Sequence, residues 1–188
     1  MTWTAPEASR TPGTRTTGER RTLADLLTEG SLVAGERETL AGFLDNFRGS
    51  LLKKCAGLTG EQLAERTVGP SNLTLLGLVR HMAKVERTWF RERFAGQSFP
   101  PMYDVAKGKD ADFEDLDPGR AGEDYDRLLE EIHLADEAIA GASLDDTFVH
   151  LGTAYSLRVV HVHMISEYAR HVGHADLIRE SLDGVTGS

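Results

Sequence analysis

Four of the seven histidines lie close together near the carboxyl end of the chain, between His161 and His174. Within this segment Glu167 and His171 are one helical turn apart, because a helix advances about 100° per residue and side chains four positions apart lie above one another. A carboxylate and an imidazole placed in this way can bind one divalent cation, at about 2.0–2.2 Å if it is zinc. A surface ion pair has the same spacing, so the pattern alone leaves both interpretations open.

A third ligand has to come from another helix, and His81 is the candidate. It lies at the flank of an apolar seam, between Leu78 and Val85. An inert, hydrogen-bonded histidine at the edge of a core has the same sequence signature. If His81 does join Glu167 and His171, three protein ligands leave at least one coordination position open, which is typical of catalytic rather than structural sites. Two imidazoles and one carboxylate suit zinc, nickel, iron or manganese.

Other reactive side chains give weaker signals. Glu86 falls in the middle of the apolar seam that flanks His81, where a carboxylate indicates either a buried ion pair or a general base that supports the site. Cys55, the single cysteine, is predicted to be a packing thiol, and it excludes an internal disulfide. A ferritin-like di-iron site needs two Glu-x-x-His helices, and only the segment from Glu130 to His133 offers one. Zinc-protease, phosphate-loop and serine-hydrolase motifs are absent from the sequence.

Apolar residues at steps of three and four predict four long helices that would position these side chains. Their predicted ranges are 36–57, then 71 or 72 to 96, then 117–141, and finally 153 or 156 to 184. No segment shows sustained strand alternation. The acidic segment from Asp104 to Asp126 is predicted to be a solvated linker that leads into the third helix. The sequence therefore predicts an all-α four-helix bundle with a long crossover between helices two and three.

The length of 188 residues fits one domain, predicted over residues 31–188, with residues 1–30 as an arm or strap. Within the arm, residues 22–29 could form a short amphipathic turn. The net charge is −9, with 21 basic against 30 acidic residues, which argues against nucleic acid as the main partner. No apolar run is long enough for a membrane span, and the amino terminus lacks a signal-peptide layout. We therefore expect a cytoplasmic protein.

Two segments carry a resemblance to a known family. The first runs from Ser71 to Phe90 and includes His81-Met-Ala-x-Val-Glu86-Arg-x-Trp89-Phe90, and the second reads His163-Met-Ile-Ser-Glu167-Tyr-Ala-Arg-His171-Val-Gly-His174. Together they resemble the DinB superfamily, in its actinobacterial branch near the mycothiol-dependent maleylpyruvate isomerase-like proteins. The resemblance covers most of the chain from Glu36 to Gly184.

The resemblance implies a four-helix bundle that holds one divalent metal ion through His81, Glu167 and His171. Zinc and nickel are the first candidates for this ion. Many members have a histidine at the position of Glu167, but the maleylpyruvate isomerase branch also uses Glu-x-x-x-His. His174 stands where many relatives have glutamine, so it is expected beside the ligands rather than among them. Glu86 and His163 are the other residues expected to support the site.

The same resemblance implies an activity. It points to a transferase or isomerase that uses a low-molecular-weight thiol, mycothiol or bacillithiol, on a small electrophile in stress or detoxification chemistry. The alternative, from a different class, is a bundle that holds metal and binds a ligand or partner without turnover. A hydrolase that activates water is a third possibility, although no oxyanion-hole motif is visible. A homodimer is expected at the level of the family only.

Overall fold

Helices make up most of the protein, which we describe from a computed structural model covering residues 2–7, 33–108 and 110–186. The four long helices are α1 (Glu36–Cys55), α3 (Leu75–Glu86), α5 (Ala121–Ile139) and α6 (Leu157–Asp183). The short helices are α2 (Gly60–Leu63) and α4 (Ala111–Glu114), with 3-10 turns at Val105–Lys107 and Pro118–Arg120. A hairpin of β1 (Thr147–His150) and β2 (Thr153–Ser156) precedes α6.

The core lies between two helix pairs, since α1 packs along α6 and α3 packs along α5. Each long helix contributes apolar side chains that are removed from water, at roughly 25 cal/mol for each Å² buried. Fully buried members include Leu51, Leu52, Leu75, Leu78, Met82, Leu128, Ile132, Val160 and Met164. The all-α bundle predicted from the sequence is confirmed, and the long crossover does connect α3 to α5.

Side-chain caps explain where several helices begin. The hydroxyl of Ser156 accepts a hydrogen bond from the backbone N–H of Val159 at the start of α6. The prediction that the second helix begins at Ser71 or Asn72 is wrong, because the helix begins at Leu75. The Ser71 hydroxyl accepts a hydrogen bond from the N–H of Leu73, which lies before the helix. Thr74 is the actual cap, and its hydroxyl accepts from the N–H of Gly77 at 2.9 Å.

A π-helix follows α3 without interruption, from Arg87 to Phe94. Its wider turn is closed by bonds such as the N–H of Ala95 to the carbonyl of Phe90, five residues back. The apolar periodicity predicted where this combined helix ends, near residue 96, but not the change in its winding. The π-helix places the Trp89 ring against His163 of α6, with ring centroids 4.1 Å apart.

The hairpin is an element that the sequence pattern, with no sustained strand alternation, did not predict. Its strands have four residues each, too few for an alternating pattern to stand out. They pair antiparallel, with Phe148 opposite Tyr155 and their rings stacked 5.5 Å apart. The turn uses left-handed backbone at Leu151 and Gly152. His150 is the last residue of β1.

Residues 2–7 lie on the bundle. The N–H of Ala5 donates to the carbonyl of Leu58, and the N–H of Gly57 donates to the carbonyl of Ala5. The Trp3 ring packs against Tyr125, at 5.8 Å between centroids, where Gly122 leaves room for it. The predicted amphipathic turn at residues 22–29, and most of the predicted arm, lie outside the described residues.

The sequence contains no apolar run long enough for a membrane span, and the helices of the structure can be compared with this. Among the residues that the structure describes, no helix combines the length and the apolar character needed to cross a bilayer.

Replacement of Gly60 by alanine should destabilise the fold. A Cβ at this buried position would clash with the backbone carbonyl oxygen of Pro118, so the entry to α5 would have to move. We expect a loss of about 1–3 kcal/mol in the free energy of unfolding, measured by urea denaturation. Gly42→Ala is the matched control, because nothing lies within 4 Å of a Cβ there. Equal stability of the two variants would contradict this packing.

Candidate metal centre

Three side chains from two helices meet at one point. His81 comes from α3, while Glu167 and His171 come from successive turns of α6. One donor atom from each lies within 4.8 Å of the other two. The rings of His81 and His171 are 4.8 Å apart between centroids, and the His171 Nε2 is 3.6 Å from the Glu167 Oε2. The structure therefore brings together the three residues that the sequence and the resemblance singled out.

Packing between α3 and α6 produces this meeting. Met82 follows His81 on α3, while Met164 and Tyr168 lie beside the donors on α6, and all three are fully buried. His171 is buried at the edge of this core, whereas His81 and Glu167 are half-buried. The donors thus sit where the apolar interior gives way to solvent, which leaves space on their outer side.

Hydrogen bonds orient the two imidazoles. The His81 Nδ1 is bonded to the Oδ2 of Asp112 at 2.8 Å, so its Nε2 is left for the site. The His171 Nδ1 lies 3.3 Å from the Nδ1 of His174, so its Nε2 faces Glu167. On Glu167, Oε1 accepts from Arg170 at 2.7 Å. Each of the three candidate ligands is therefore held from its far side, an arrangement common around metal ions.

The protonation state of His171 also suits a cation. Burial, together with the neighbouring His81, lowers the pKa of His171 to about 4. The imidazole is therefore neutral at physiological pH, with a lone pair for coordination. Two imidazoles and one carboxylate, oriented toward one point, form a donor set that fits a divalent cation.

Asp112 is a functional candidate that the sequence analysis missed. It belongs to the acidic crossover that was predicted to be a solvated linker, yet only 1% of its surface is exposed. Besides His81, its Oδ2 accepts from the Nζ of Lys84 at 2.9 Å. Nothing in the sequence separates Asp112 from exposed neighbours such as Asp110. Only the folding of the crossover back onto α3 distinguishes them.

The residues predicted to support the ligands take different positions. His174 contacts His171 directly. His163 lies one turn before Glu167, where its ring packs against Trp89 at a tilt and where burial lowers its pKa. Glu86 is fully buried, and its described hydrogen bonds go to Arg48 and Tyr168 rather than to the three ligands.

Cys55 is not poised for chemistry. It is fully buried at the end of α1, and its thiol lies 3.6 Å from the carbonyl of Leu51. Burial raises its pKa to about 12. A thiol with such a pKa remains protonated near neutral pH and is a poor nucleophile. This position agrees with the packing role predicted for it.

A cavity of about 250 Å³ adjoins the Asp112 side of the centre, between α3 and the crossover. Cationic, hydroxyl, apolar and acidic side chains line it, including Lys84, Thr88, Met102, Tyr103 and Asp112. Its volume is close to the lower end of typical small-molecule sites, about 300 Å³.

The bundle and its amino-acid motifs define a protein of the DinB type, as the resemblance indicated. Residues 39–184 match the family model described as mycothiol-S-transferase. Since this match covers most of the chain, the protein belongs to the mycothiol-S-transferase family. Searches of curated proteins and of solved structures returned no significant match.

In the metal-free protein, His171 should titrate with a pKa of about 4, since burial and His81 both disfavour the imidazolium. An NMR titration of the ring signals, assigned with His171→Gln, measures this value. The unfolded chain, with a histidine pKa of about 6.5, binds more protons between these values, so stability should fall as pH decreases through that window. His171→Gln should flatten this dependence, whereas an ordinary pKa for His171 would contradict the described burial.

Proposed function

We propose that this protein is a divalent-metal-dependent transferase that joins a low-molecular-weight thiol of the mycothiol type to a small electrophile. The observation that carries the proposal is the convergence of His81, Glu167 and His171 in a chain of the mycothiol-S-transferase family. Family membership supports the thiol, and the donor set supports the metal. Zinc and nickel are the first candidates, since both accept imidazole ligands.

A cation bound at this site would supply Lewis-acid chemistry, because a coordinated thiol loses its proton near neutral pH. In the transfer, the sulfur forms a bond to the electrophilic carbon, the leaving group departs with its electron pair, and the thiol proton passes to solvent. As metal ligands, the Glu167 carboxylate would contribute one negative charge and the two imidazoles none. The three ligands would therefore leave net positive charge at the site.

The nucleophilic sulfur has to come from a second molecule. The chain has one cysteine, and Cys55 lies fully buried with a pKa raised to about 12. The half-buried positions of His81 and Glu167 leave the donors open toward solvent on one side. An external thiol can approach there, and the neighbouring cavity offers room for a small substrate.

Replacement of a ligand should remove both metal and activity. The metal-loaded protein is mixed with mycothiol and a panel of small alkylating electrophiles, and the conjugate is measured by mass spectrometry. His171→Ala and Glu167→Gln should return the rate to that of buffer and lose most of the bound metal. Circular dichroism should still report a helical bundle, because the core is formed by apolar seams.

His133→Ala is the matched control for this experiment. His133 lies on α5 and contacts Glu137, outside the donor cluster, so its replacement should leave metal content and rate unchanged. Bound metal without any rate above buffer would overturn the transferase proposal and favour a bundle that binds ligands without turnover. Rearrangement of the electrophile, with the thiol regenerated, would indicate an isomerase instead.

A further inference from the structure

The carboxylate of Asp112 is the only described side chain on the crossover that hydrogen-bonds a member of the donor cluster. It contacts the His81 Nδ1 at 2.8 Å and lies almost wholly out of water. We infer that Asp112 is a positioning residue for the metal centre, which holds His81 with its proton on Nδ1 and its Nε2 lone pair directed at Glu167 and His171. The inference rests on the proposed function, because it requires the centre to bind metal.

Hydrogen bonds from Arg80, the residue before His81, hold the crossover against α3 at Ala111 and Asp112. Arg80 donates from Nε to the carbonyl of Asp112 and from Nη2 to the carbonyl of Ala111, both at 3.1 Å. Its Nη1 donates to the buried Asp124 of α5 at 3.0 Å. Arg80 therefore ties α4 to α3 and α5, and sets the backbone from which the Asp112 side chain reaches His81.

Ring packing fixes α4 from its other side. The Phe113 ring lies 5.0 Å from the His81 ring, between centroids. It also covers Gly77, one turn earlier on α3, where a Cβ would lie only 2.8 Å from the Phe113 Cδ1. The glycine thus allows α4 to approach α3 closely. Contact on the ring and a bond at Nδ1 together leave His81 little freedom to rotate.

The carboxylate of Asp112 concentrates its bonding on one oxygen. Oδ2 serves both His81 and Lys84, while Oδ1 is buried and accepts no hydrogen bond from the described residues. Lys84 supplies a positive charge that makes the buried carboxylate of Asp112 tolerable. Partners of this kind orient imidazole ligands and raise their basicity.

The test compares zinc affinity in competition with a chromophoric chelator. Asp112→Asn should bind zinc about 10–100-fold more weakly than the unaltered protein. Glu114→Gln is the matched control, since Glu114 lies on the same short helix but its described hydrogen bonds go to Arg66 and Asn72, away from the donor cluster. Its affinity should stay within about twofold. A similar affinity for Asp112→Asn would overturn the inference, provided that His171→Ala has lost the site.

Failure of the proposed function gives a different result. If His171→Ala binds zinc as well as the unaltered protein, the centre itself is refuted. A second measurement does not depend on folding of the Asp112 variant, namely the ¹⁵N shifts of the His81 ring in the metal-free protein. They should report the Nδ1–H tautomer, in which Nδ1 donates to Asp112. An Nε2–H tautomer would overturn the inference whatever the variant does.

Discussion

One buried ion pair connects all four long helices. Arg48 of α1 donates from Nε and Nη2 to the two oxygens of Glu86, at the end of α3, at 2.7 and 2.8 Å. Its Nη1 reaches Asp136 of α5, and the hydroxyl of Tyr168 on α6 donates to the same Glu86. Although burial alone would lower the pKa of Arg48, the surrounding carboxylates, Glu86 foremost, hold it well above its usual value. Loss of one partner from such a pair typically costs about 3–5 kcal/mol, so the arrangement tolerates little displacement.

The register of the candidate metal centre depends on that pair. Tyr168 directly follows Glu167 on α6, and Glu86 lies on the same helix as His81, little more than one turn away. The bond that seats Tyr168 on Glu86 therefore also fixes the height at which Glu167 and His171 face His81. The sequence left open whether Glu86 forms a buried ion pair or supports the site directly. Its described contacts are with Arg48 and Tyr168, which hold the helices together, and not with the three candidate ligands.

The sequence predicted what depends on local periodicity and spacing. The apolar steps of α5 and α6 are strong enough to define both helices, and the four-residue separation of Glu167 from His171 survives any bundle geometry. The start of α3 was misplaced because Ser71 and Thr74 are both good capping residues. In the structure the Thr74 hydroxyl accepts from the N–H of Gly77 inside the helix, whereas the Ser71 hydroxyl accepts from the N–H of Leu73 before it. Asp112 was missed since its role arises only when the crossover folds back onto α3, and the hairpin around Phe148 is too short to carry a pattern.

The central claim is that His81, Glu167 and His171 together hold one divalent cation. A crystal structure of the protein loaded with zinc, with the ion located by its anomalous scattering, tests this claim most directly. The account predicts one ion about 2.0–2.2 Å from the Nε2 atoms of His81 and His171 and from a carboxylate oxygen of Glu167, with at least one position left for a non-protein ligand. An ion bound elsewhere, or a His81 ring turned away from the other two ligands, would contradict it.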